Sequence, residues 1–222
     1  MSGTPLVHTL KTIIERSYAM RPVIEDLAPF IIGDRGLAAL YGQSPARRPT
    51  GPAGARLLVR ETGSSLRASL YYPDALVRHL ELFHPLAGLG DRNIDAFAVL
   101  VEELDHLLVL ASRAAEGRPV SLLELEHHAN VTKYLVVVHL LGKQTGRRRI
   151  SEQHRLWARH HLFEKYPEGE GEQATRYRRA AGLAERYVRY LDSKSAEGRR
   201  TELRLFQRRP FSDTLRLLTC RN

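Results

Sequence analysis

Residues 97–111 read Phe-Ala-Val-Leu-Val-Glu-Glu-Leu-Asp-His-Leu-Leu-Val-Leu-Ala, a run that constrains the fold more than any other. At helical spacing Phe97, Val101, Leu104, Leu108 and Ala111 make one apolar stripe. The opposite side should be polar on a surface helix, yet it carries Val99, Val109 and Leu110 beside Glu102, Glu103 and His106. A helix that is apolar all round is buried. Its carboxylates must then be neutralised, paired or bound to a metal, because a bare buried charge is too costly.

Glu103 and His106 stand three residues apart, so both side chains share one helix face. Carboxylate and imidazole at this spacing can converge on one ion, as they do in metal-binding helical bundles. The spacing recurs at Glu81–His84 and Glu124–His127, and nine of the ten histidines fall between residues 79 and 161. Short connections after Ala115 and Leu141 predict antiparallel neighbours. With about 1.5 Å of rise per residue, His106 and His128 then reach similar heights, and His161 and Glu164 come level with His128 around the next turn. The expected ligands are Glu103, His106 and His128, with His161, Glu164 and Glu102 behind them. Mixed nitrogen and oxygen donors suit zinc, iron or manganese. Zinc would favour hydrolysis with Glu102 as a catalytic base, and iron or manganese would favour redox chemistry.

Two other readings use the same residues. Lys133 falls opposite Glu102 and Glu103 at the same height, so a buried Glu–Lys pair could neutralise the cluster without an ion. Arg113 could pair likewise with Glu124. Metal-free acid–base chemistry is the third possibility, since perturbed carboxylates occur in all three.

The rest of the chain predicts a mainly α protein, an antiparallel helical bundle with a small N-terminal β-hairpin. Helical stretches are expected over Leu6–Met20, Val23–Tyr41 (broken at Pro29 and again near Gly33 and Gly36), Pro73–Leu86, Asp91–Ala115, Ser121–Leu141, Ser151–Lys165 and Glu172–Leu191. A last helix should be interrupted at Pro210. Ser121-Leu-Leu-Glu124 has the pattern of a capping box. Gln43–Gly54 has loop composition. Alternation over Leu66–Tyr72, preceded by Arg56–Arg60 across Thr62–Ser65, reads as the hairpin. This divides the chain into an N-terminal helical segment (1–42), a loop and hairpin (43–72) and a helical core (73–222), expected to form one unit.

Charge is uneven. The formal net charge is +9, and residues 143–222 hold 20 basic against 10 acidic side chains, whereas residues 73–142 hold 5 against 10. Arg176, Arg178, Arg179, Arg186, Arg189, Arg208 and Arg209 lie among tyrosines and phenylalanines, a composition suited to nucleic acid or an acidic protein partner. A non-catalytic adaptor is therefore the alternative function. Gly142-Lys143-Gln144-Thr145 resembles the end of a phosphate loop but lacks its upstream glycine and follows a helix. No apolar run reaches the roughly 18 residues of a membrane span. His8, Lys11, Glu15 and Arg16 interrupt any leader-like stretch. A single cysteine, Cys220, fits a reducing compartment, so the expected location is cytoplasmic.

Overall fold

A computed structural model describes residues 4–41, 54–63, 65–147, 150–165 and 170–219. Most of the Pro/Gly-rich stretch at 43–54, together with Ser64, Arg148, Arg149 and Cys220, lies outside the described residues. The chain opens with α1 (Thr4–Tyr18), a 3-10 turn (Ala28–Phe30), β1 (Ile31–Ile32) and α2 (Asp34–Tyr41). The strands β2 (Arg56–Thr62) and β3 (Ser65–Tyr71) follow, then α3 (Asp74–Leu82), α4 (Ile94–Ala115) and α5 (Leu122–Thr145). α6 (Glu152–Arg159) runs into a π turn (His160–Glu164), before α7 (Glu172–Asp192), α8 (Ala196–Arg208) and α9 (Phe211–Thr219). The described residues are thus mainly helical with a small three-stranded sheet. None of these helices is long and apolar enough to cross a membrane.

Burial follows the sequence pattern. α4 buries Phe97, Leu100, Val101, Leu104, Leu107, Leu108 and Val109, and with them Asp105 and His106. α5 is hidden on nearly every side, because it packs against both α4 and α7. Polar residues in its middle must therefore find partners inside the protein. Its start is the expected cap, with the Ser121 hydroxyl accepting the Glu124 N–H at 3.1 Å. Gly146 ends it at φ +63°, a left-handed position that glycine adopts without strain. α1 buries Leu6, Leu10, Ile14 and Tyr18 at one-turn intervals, resting on α8 and α4.

Three expected boundaries change. Val23–Tyr41 breaks near Pro29 and Gly33 as expected, but only its last part, α2, is α-helical. Pro29 lies in the 3-10 turn, and the β-branched pair Ile31-Ile32 then joins β3 in parallel, Ile31 opposite Leu70. Gly33 permits the next step, since a Cβ there would stand 2.4 Å from Asp74 Oδ1, the atom that accepts the Asp34 N–H. Pro73–Leu86 shortens to α3, which stops before His84-Pro85, because a residue preceding proline is disfavoured in helical geometry. Glu81 and His84 consequently do not share a helix face. Ser151–Lys165 splits at residue 160, where the helix widens into the π turn.

β2 and β3 pair antiparallel from Arg56–Tyr71 to Thr62–Ser65. Only the end near Leu70 and Tyr71 is buried, and the Tyr72 hydroxyl donates to the Leu100 carbonyl of α4 at 3.0 Å. The sheet is therefore anchored to the helix that carries Glu102 and Glu103.

Candidate metal centre

Glu102 and His106 lie one turn apart on α4. Glu126 and Lys133 lie seven residues apart on α5, again on one face. The packing of the two helices brings one ligand atom each from Glu102, His106 and Glu126 within 4.8 Å of one another. His106 Nε2 stands 3.8 Å from Glu126 Oε2, and Lys133 Nζ stands 2.5 Å from Glu102 Oε2. Glu103 turns the other way and accepts the Leu57 N–H of β2 at 2.6 Å.

The groups differ in how well they are neutralised. Burial pushes the Glu102 carboxyl up, but Lys133 and, to a smaller degree, His106 outweigh it and hold the group below its usual range. Burial and then the Glu102 charge press Glu103 up to about 8, with the Leu57 N–H opposing them. Burial and Glu102 likewise raise Glu126 to about 7, against Lys133 and Arg176. Burial keeps the His106 ring below its ordinary value despite the nearby carboxylates. Lys133 acts on Glu102 and Glu126, Arg176 on Glu126 and Arg56 on Glu103, yet burial still holds Glu103 and Glu126 above their usual range. Among the described residues, His106 Nδ1 and Glu126 Oε2 are buried without a hydrogen-bond partner. Such orphaned atoms are rare in folded proteins and mark a place where something else could bind.

A second acid–histidine pair comes from the same two helices and is closed. Asp105 Oδ2 meets His128 Nδ1 at 2.8 Å, and Asp105 Oδ1 accepts the Thr132 hydroxyl at 2.7 Å. His128 Nε2 meets Gln207 Oε1 at 3.0 Å, and the Tyr18 and Thr132 hydroxyls are 2.8 Å apart. Tyr18 and Phe206 flank the His128 ring.

The structure therefore groups the expected ligands differently. His106 and Glu102 meet at the centre, joined by Glu126. Glu103 borders it with its carboxylate turned to the sheet. His128 does not join them, since both of its ring nitrogens already face Asp105 and Gln207. His161 instead lies 3.2 Å from Asp91, while Glu164 is exposed and bound to His160 at 2.7 Å. The ion pairs expected from sequence do form, Lys133 with Glu102 and Arg113 with Glu124 at 3.1 Å.

Of the arginines, Arg178, Arg179, Arg186, Arg189 and Arg208 are exposed. Arg176 faces the cluster through its effect on Glu126, and Arg209 binds Glu202 at 2.9 Å.

Glu126 and Asp105 were not among the expected site residues. A signal for Glu126 existed, because its seven-residue spacing from Lys133 places it on the face already assigned opposite Glu102. Asp105 is one residue, or about 100° of helix, from His106, and only the packing of α4 reveals which face it takes.

Comparison with known proteins returns no matching family model, curated relative or solved structure.

Proposed function

We propose that the protein binds a transition-metal ion between α4 and α5 through Glu102, His106 and Glu126. This reading takes α4, α5 and α7 as the antiparallel bundle expected from the sequence. The observation that carries it is the pair of buried, unpartnered atoms, His106 Nδ1 and Glu126 Oε2, within a group whose donor atoms lie inside 4.8 Å of one another. An ion would add positive charge to a cluster in which burial holds Glu103 and Glu126 above their usual range despite the nearby cations.

One nitrogen and two oxygen donors suit zinc, iron or manganese, and three protein ligands leave a coordination position for water or substrate. With zinc the site would serve hydrolysis, and with iron or manganese redox chemistry. Glu102 belongs to the ligand group here, so the carboxylate left over beside it is Glu103.

A second reading is favoured by one contact. The 2.5 Å Lys133–Glu102 pair makes the lysine itself the resident cation and the cluster a structural ion-pair network. Elemental analysis of untagged protein, purified without chelator, separates the two. The metal reading expects a stoichiometric transition metal that is lost in His106→Ala while helical content is retained. Metal-free wild-type protein that also takes up no added zinc or manganese decides for the ion-pair network.

A further inference from the structure

Away from the Glu–His cluster, α1, α5, α6 and α8 enclose a cleft of about 620 Å³. Its cationic lining is Lys143, Arg147, Arg155, Arg199 and Arg200, with His139 beside them and no carboxylate lining it among the described residues. Leu135, Val138, Ile150 and Leu203 form an apolar part of the wall. Arg155 is held by Asp192, and Arg199 stands 3.8 Å from the same carboxylate. Asp192 also takes Arg159 at 3.6 Å and the Tyr134 hydroxyl at 2.5 Å. Lys143, Arg147 and Arg200 form no ion pair with any described residue.

The C-terminal dipole of α5 accounts for Lys143 and Arg147, which complement its negative end. It does not account for Arg155 on α6 or for Arg199 and Arg200 on α8. Three separate helices deliver cations to one concavity, and one shared aspartate answers them. Like charges gathered in a partly desolvated cleft repel one another, and an anion relieves that repulsion.

We infer that this cleft binds a small organic phosphate, its phosphate groups taken by Lys143, Arg147, Arg199 and Arg200 and its organic part laid against Leu135, Val138, Ile150 and Leu203. The volume lies within the roughly 300–1,000 Å³ of small-molecule sites. Arginine suits the task because its planar donors grip phosphate oxygens in pairs. The apolar wall distinguishes the site from one built for inorganic phosphate alone. Gly142 and Lys143, whose sequence resembles the end of a phosphate loop, line the cleft from a helix C-terminus, so the cationic side chain rather than a cradle of backbone N–H groups would make the contact.

The test is calorimetric titration of the full chain with adenosine triphosphate as the probe, in magnesium-free buffer at about 150 mM salt. Tripolyphosphate and a single-stranded oligonucleotide are titrated alongside. Saturable binding of the nucleotide at one site, tighter than tripolyphosphate, is expected. Arg147→Gln/Arg200→Gln should weaken it at least about tenfold, since each variant side chain loses charge-assisted hydrogen bonds to the phosphate. Arg179→Gln/Arg186→Gln, on the exposed face of α7, should leave it unchanged, with circular dichroism confirming that both variants fold. No saturable binding, or equal loss in both variants, overturns the proposal. So does an oligonucleotide that binds more tightly than the nucleotide, which would assign the basic surface to nucleic acid. Because the probe contains no transition metal and the variants avoid the Glu–His cluster, the outcome is independent of the metal reading.

Discussion

The two acid–histidine clusters between α4 and α5 are built from similar chemistry and reach opposite ends. In the Asp105 cluster, aspartate, histidine, threonine and tyrosine find partners among themselves and in Gln207. In the Glu102 cluster, Lys133 pairs with Glu102 while Glu103 and Glu126 stay raised, and His106 Nδ1 and Glu126 Oε2 make no hydrogen bond among the described residues. The distinction is geometric. Asp105 follows Glu102 by three residues and precedes His106 by one, so a modest rotation around α4 separates a finished network from an unfinished one. Burial of polar groups alone therefore does not identify a binding site, and neither does one missing hydrogen bond, since Arg113 Nε and Arg159 Nε lack one as well; the convergence of ligand atoms at Glu102, His106 and Glu126 sets this cluster apart.

Breaking the closed cluster should produce the largest effect. Asp105→Ala removes one partner of a fully buried pair and is expected to cost about 3–5 kcal/mol in urea denaturation, with or without metal. A loss well under about 1 kcal/mol would mean that this network contributes little and that the two clusters do not differ as described.

Lys133→Met opens the other cluster further, leaving Glu102 without its cation. A loss of about 1–3 kcal/mol is expected in the metal-free protein. Added zinc should restore part of it, because a ligand that binds only the folded state stabilises that state. The same melting point with and without zinc would remove the ground for calling this cluster open.

A smaller effect concerns pH. In metal-free protein the Glu103 carboxyl titrates near 8 rather than at its ordinary 4.5, so the folded state favours the protonated form. Its contribution to stability is complete below about pH 4.5 and is lost as pH rises through 8. Glu103→Gln should flatten that decline and gain about 1 kcal/mol at alkaline pH. Denaturation midpoints measured from about pH 5 to about pH 9, which covers most of the transition, would show the two curves converging on the acid side. Parallel curves would place the titration elsewhere.

Much of this arrangement was readable in the sequence for a physical reason. The burial of α4 followed from apolar residues on every side, and the expected Lys133–Glu102 pair forms. The Ser121 cap and the break at Pro210 rest on local chemistry and also held. What the sequence did not reveal depended on rotation and on distant partners. Helix spacing put His128 at the right height, but only tertiary packing turned it towards Asp105 and Gln207. The strand at Ile31–Ile32 exists because β3 offers an edge some forty residues later, as Ile31 pairs with Leu70, and no local pattern announces that edge.

The closed network also has a consequence in time. Asp105, His128 and Thr132 belong to adjacent helices and can approach early, since neighbouring segments close short loops. Tyr18 and Gln207 lie on helices near opposite ends of the chain, and α1 rests on α8, so their contacts close long loops. The inner pair is thus expected to be sealed only once α1 and α8 have docked. The seal over the most buried histidine pair is a clasp between the first helix and the eighth.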